Sequence, residues 1–167
     1  MTTAALLLML ASQSDQPPAK DPPPSEMEKL VAKLAKMEAF APDAKDGDLR
    51  KKQKERFKEA VTQLNGLLYL LRVGSIDPVS RYKGESVVDC WKKVVRSGLE
   101  VLDRPEDRLI LLQGSVTFLK GIEDGMERAQ RAGGKVAPWQ VSGARYDRLD
   151  AEIELLRATE KAKAKKK

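Results

Sequence analysis

The side chains that could do chemistry in this chain are few, and their types exclude more than they offer. Among 167 residues there is no histidine and a single cysteine, Cys90. No Ser–His or Cys–His catalytic pair can be assembled, no His–Cys zinc site can form, and no disulfide can close within the chain. With no base to activate it, Cys90 reads as a small buried hydrophobe rather than a nucleophile. Asp147, Asp150, Glu152 and Glu154 cluster in sequence, but Arg145, Arg148 and Arg157 interleave with them. Asp150 and Glu154, four apart on a helix, repel mildly, so the cluster reads as a solvated charged face and not as an acid–base pair. Gly133-Gly134-Lys135 has neither the glycine spacing nor the Ser/Thr of a phosphate loop. Trp91 and Trp139 are too sparse for a base-stacking platform and are expected to plug core and helix ends. No catalytic, cofactor-binding or metal-ligating residue is assigned, and the expectation is a non-enzymatic protein without cofactor or small-molecule substrate.

The formal net charge is +6, with 34% charged residues. Five lysines and no acid lie in Lys161–Lys167, leaving only +1 for everything else. A nucleic-acid groove would spread its charge over one face. The excess here sits on an end, where lysines oppose the negative pole of a helix. Nucleic acid is therefore not an expected partner, and membrane contact is expected only through this tail.

At the other end, Ala4–Ala11 is an unbroken apolar octet. A bilayer core of roughly 30 Å needs about 20 apolar residues, so the octet cannot span one. It has the length of a signal-peptide apolar region, with Ser12 and Ser14 as small residues before a cleavage point. Residues 1–14 are accordingly expected to be a cleaved signal peptide, and the mature chain exported. Residues 15–24, from which Pro17, Pro18, Pro22, Pro23 and Pro24 remove five backbone donors, form an extended linker.

The rest is helical in pattern. Ser25-Glu26-Met27-Glu28 is a capping box ahead of Met27, Leu30, Leu34 and Met37, and Pro42 closes that first helix. A second begins near Asp46 or Asp48, carries Phe57, Val61, Leu64, Leu68 and Leu71, and stops at Gly74. A third is expected from Asp77-Pro78, an N-cap followed by proline, with Val87, Trp91, Val94 and Val101. A fourth opens at Arg104-Pro105 with Leu109, Leu112, Val116, Leu119 and Met126. Glu123 falls on that stripe, Gly98 on that of the third helix, and Gly114, Gly121 and Gly125 gather in the fourth. A fifth runs from Pro138 with Tyr146, Leu149, Ile153 and Leu156. Spacings of three and four are the heptad period of long, closely aligned helices. Short connections force antiparallel neighbours, and no segment alternates with period two. The predicted fold is all-α, without β-sheet: an elongated antiparallel bundle of coiled-coil hairpins over residues 25–160, with the tail at 161–167. Helices two to five should each be about 25 to 28 residues, or roughly 37–42 Å.

Gly74-Ser75-Ile76-Asp77-Pro78 and Gly134-Lys135-Val136-Ala137-Pro138 share one pattern, in which glycine ends a helix in the left-handed region and proline starts the next. A duplicated hairpin would produce this, as would two independent solutions of one turn. Ala129–Leu156 resembles the helix-turn-helix repeat of TolC-type outer-membrane efflux proteins: Gly134 at the turn, small Ala144 ten residues on, and Ala151-Glu152 seven beyond that. In the first repeat Gly74 and Gly84 keep the register, while Trp91-Lys92 stand where the family has Ala-Glu. The resemblance implies a shallow Ala144/Ala151 stripe that lets another helix approach. It touches the helical region of that family and not its membrane strands. Two functional readings follow: an exported helical envelope protein acting through helix–helix contacts with itself or a protein partner, or a cytosolic helical adaptor whose lysine tail finds an acidic partner.

Overall fold

The computed structural model describes residues 23–76 and 85–164. The expected signal peptide, residues 15–22 of the linker, Pro78, Gly84 and Lys165–Lys167 lie outside the described residues. Five α-helices follow in order: α1 (Glu26–Ala35), α2 (Asp48–Arg72), α3 (Val87–Val101), α4 (Pro105–Arg131) and α5 (Pro138–Ala164), with a 3-10 turn at Glu38–Phe40. Among the described residues there is no β-strand, and the fold is all-α.

Local chemistry sets most helix ends. Ser25 Oγ accepts from the Glu28 amide while the Glu28 carboxylate accepts from the Ser25 amide, the reciprocal capping predicted for α1. Gly74 (φ 72°) ends α2, with the Gly74 amide donating to Leu71 O and Ser75 to Leu70 O. α4 ends in the same double bond: Gly133 (φ 77°) donates to Gln130 O and Gly134 to Ala129 O. Both are Schellman motifs. The left-handed residue of the second is Gly133, not Gly134. Gly74 and Gly134 are therefore not equivalent, and the two turns differ by one residue.

The third helix departs further from expectation. It starts at Val87, not at Asp77-Pro78, and is 15 residues long. Ser86 and Asp89 form a second capping box there, a start signal within the stretch expected to be already helical. At the far end, α5 includes Lys161–Ala164, so the tail begins as helix.

The core fills the space between α2, α3, α4 and α1. Leu64, Trp91, Leu111 and Phe118 are fully enclosed. The Trp91 ring stacks on Phe118 with centroids 4.2 Å apart, and its Nε1–H donates to Ser115 Oγ at 3.0 Å, which satisfies the one polar atom that burial would otherwise penalise. Core side chains press directly on the helix backbone at two glycines. A Cβ on Gly98 would lie 2.7 Å from Leu111 Cδ2, and one on Gly114 2.9 Å from Leu34 Cδ1. Gly121 has ordinary contact with Met27 and Gly125 meets open space. α4 is thus covered on two sides. Leu111, Ser115, Phe118 and Ile122 are buried beside Leu112, Leu119 and Met126, a wider face than the single predicted stripe. α5 is packed against α4.

Candidate functional site

α5 carries two faces of opposite character. The inner face, against α4, is built from small residues: Val141, Ala144 and Ala151 are buried, and Leu155 and Ala158 are partly so. This places the Ala144/Ala151 stripe inside the bundle, where the absence of bulk lets α4 and α5 come close. A half capping box starts the helix, the Gln140 side chain accepting from the Ala137 amide at 2.7 Å.

The inner face is also charged. Glu123 of α4 is buried, and both of its oxygens are engaged from α5: Arg145 Nε donates to Oε1 at 2.8 Å and Arg148 Nε donates to Oε2. Arg145 continues to Glu127 and Arg148 to Glu152. Burial alone would raise the Glu123 pKa, but hydrogen bonds and charge from Arg145 and Arg148 outweigh it and hold the carboxyl below its ordinary value. An acid on the apolar stripe of α4 therefore fixes the register of α5. Lys92 of α3 adds an ion pair to Asp147 at 2.7 Å.

The outer face reverses the predicted core of this helix. Tyr146, Leu149, Ile153 and Leu156, expected to be its buried stripe, are 70%, 44%, 45% and 63% exposed. Trp139, expected as a plug, is 73% exposed. The physical reason lies in the neighbour: the Glu123 network turns Arg145, Arg148 and the alanines toward α4, and a helix packed chiefly on one neighbour leaves its opposite side in water. Among the described residues, the larger apolar stripe of α5 is consequently left largely in water.

Elsewhere the reactive groups are occupied. Cys90 is fully enclosed and its Sγ–H donates to Glu85 Oε2 at 3.2 Å. Burial, then the Glu85 carboxylate, push the thiol pKa up to about 12, the reverse of what a nucleophile needs. The groove over the stacked Phe40 and Phe57 rings is rimmed by Lys54, whose ammonium is tied to Asp46 and to Ala41 O, both at 2.6 Å. No helix among the described residues is long and apolar enough to cross a membrane.

Of the residues singled out for turn and packing, Ala144, Ala151 and Glu152 come together on α5. Gly134 and Pro138 shape the connection that leads into it. Gly74 ends α2, apart from them. The Glu123–Arg145–Arg148 network escapes a reading by periodicity, although an acid on the apolar stripe of α4, 22 and 25 residues before two arginines on α5, is its signal. No family model matches this chain, and neither curated proteins nor solved structures show a significant match.

Proposed function

We propose that this chain is an exported, non-enzymatic helical protein of the cell envelope that works through helix–helix contacts, the outer face of α5 being its contact surface. The observation that carries the reading is the row Trp139, Tyr146, Leu149, Ile153 and Leu156, all exposed on one side of one helix. Fully burying one Leu or Ile is worth about 1.5–3 kcal/mol. A helix that buries alanines and leaves five large apolar side chains in water is arranged for a partner. Export is supported by the Ala4–Ala11 octet followed by a proline-rich spacer. The likeness of Ala129–Leu156 to the TolC-type helical repeat agrees with a protein whose helices serve assembly.

The test is made in the native cell. Fractionation with intact-mass measurement should find the mature chain outside the cytoplasm, beginning near Asp15. A photo-reactive residue at Ile153 should yield protein adducts, and one at exposed Lys120 on α4 should not. Retained Met1 or Thr2 in a cytosolic fraction would favour the adaptor reading instead. Absence of adducts at Ile153 would remove the contact surface.

A further inference from the structure

Resting on the reading of α5's outer face as a contact surface, we infer that its occupant is the same face of a second copy, packed in parallel as a two-stranded coiled coil. The exposed row has a strict seven-residue register. Trp139, Tyr146 and Ile153 take the first apolar position of each heptad, and Ser142, Leu149 and Leu156 the second, until Glu160 ends the seam. In parallel coiled coils a β-branched residue at the first position with leucine at the second favours two strands, and Ile153 between Leu149 and Leu156 supplies that pattern in the middle of the stripe.

The flanking charges select the orientation. In a parallel pair, the residue before each first position faces the residue five further on in the other chain. Arg145 then meets Asp150 of the second copy, and Glu152 meets Arg157 of the second copy, each contact occurring twice. Two antiparallel pairings are available. One sets Leu149 against Ile153, brings Asp150 against Asp150 of the second copy and Glu152 against its own counterpart, and leaves Trp139 outside the overlap. The other overlaps all of Trp139–Leu156 and brings Arg145 against Glu152 of the second copy, but leaves Asp150 and Arg157 facing no charge. The parallel arrangement has four attractive flanking contacts, against two in the full antiparallel overlap and repulsion at both flanks in the shorter one. Asp150 and Arg157 form no ion pair with another described residue, and Arg145 is 54% exposed although two of its nitrogens serve Glu123 and Glu127.

The bundle leaves room for this packing. Ala144, Ala151 and Ala158 lie on the side of α5 opposite the seam, at about 100° per residue, so the two α4 helices end up on the far sides of the pair. α5 is already helical through its contact with α4, so association does not have to fold it. Other occupants fit less well. Eight helical residues of the Ala4–Ala11 octet would cover about 12 Å, against about 26 Å from Trp139 to Leu156 at 1.5 Å per residue. An anionic membrane gains no net attraction at the seam's edges, where Arg145 and Arg157 are balanced by Asp150 and Glu152.

The experiment uses the full chain. Sedimentation velocity should show a concentration-dependent dimer, and Arg157→Glu should raise its dissociation constant about tenfold by turning two attractive pairs repulsive, with the melting temperature of the dilute monomer unchanged. Mild oxidation of Leu149→Cys should link the variant to itself, because like positions face each other only in parallel. A mixture of Leu149→Cys with Ile153→Cys, or with Tyr146→Cys, that yields only mixed disulfides would overturn the orientation. A monomer at every accessible concentration would overturn the inference. Photo-adducts at Ile153 with other proteins and none at twice the chain mass would also overturn it while leaving the contact surface in place, whereas no adduct at all would remove both.

Discussion

α3 and α5 are both amphipathic, and they use their large residues in opposite ways. α3 is 15 residues long and buries Val87, Trp91, Val94 and Val101 between α2 and α4. α5 is 27 residues long, is held by α4, and buries two alanines and a valine while Tyr146 and Leu156 stand in water. Neighbours on more than one side let a helix sink its bulk, and a helix at the margin keeps only the face its one neighbour takes. An apolar stripe states that a face wants cover. What supplies the cover depends on where the helix lies in the assembly.

The two tryptophans test this difference most sharply. Trp91→Ala removes an enclosed ring, its stack on Phe118 and the partner of Ser115, and should cost roughly 3–5 kcal/mol, a fall of about 10 °C in melting temperature for a chain of this size. Trp139→Ala should leave the dilute protein's melting temperature nearly where it was. Equal losses in a thermal scan would show that α5's outer face is covered within the chain.

The next effect belongs to the Glu123 network. Glu123→Ala strips two arginines of a buried acceptor and should cost about 1–3 kcal/mol, moderated because the guanidinium groups reach solvent. The pH dependence has a definite sign. Glu123 has a folded pKa below its ordinary 4.5, so its contribution is present above about pH 4.5 and is lost as pH falls through the lower, folded value. The gap in melting temperature between parent and Glu123→Ala should hold at neutral pH and close under acid. A constant gap would mean that the carboxylate's charge does not hold α5.

Much of the fold was legible from sequence because local chemistry announced it. The Ser25–Glu28 box, the opening of α4 at Pro105, and Phe57, Val61, Leu64 and Leu68 of α2 lie where capping and period place them. α3 starts later than its pattern predicts because Asp77-Pro78 is a valid start on local grounds, while the Ser86–Asp89 box sits inside a continuing apolar pattern. In α5, large residues in heptad register predict a core face, which size alone suggests. The alanine stripe between them is the true inner face, and Glu123, on the preceding helix, is the reason.

A smaller loss is expected from filling that inner face. Ala151 is 6% exposed against α4, so Ala151→Leu should overpack the contact and cost about 1–3 kcal/mol. Leucine is nearly as good a helix former as alanine, so propensity cannot account for a loss. A melting temperature unchanged by Ala151→Leu would mean that α4 and α5 can separate at that level without cost.

The smallest effect is expected on the opposite side of the same helix, and it is the most informative about what that side is for. Leu149→Ala removes three carbons from a side chain that is 44% exposed and replaces leucine with a slightly better helix former. If nothing in the chain covers Leu149, the dilute monomer should melt within about 0.5 kcal/mol of the parent, the range of ordinary surface substitutions. The same variant at high concentration should lose association, because the central leucine layer of the paired helices is gone. Stability and assembly therefore separate at Leu149 and stay joined at Ala151, two residues further along. Calorimetry of Leu149→Ala across a hundredfold range of concentration checks both halves. A parent whose melting temperature rises with concentration, beside a variant whose melting temperature does not, is the expected outcome. A variant destabilised equally at every concentration would place Leu149 in the chain's own core.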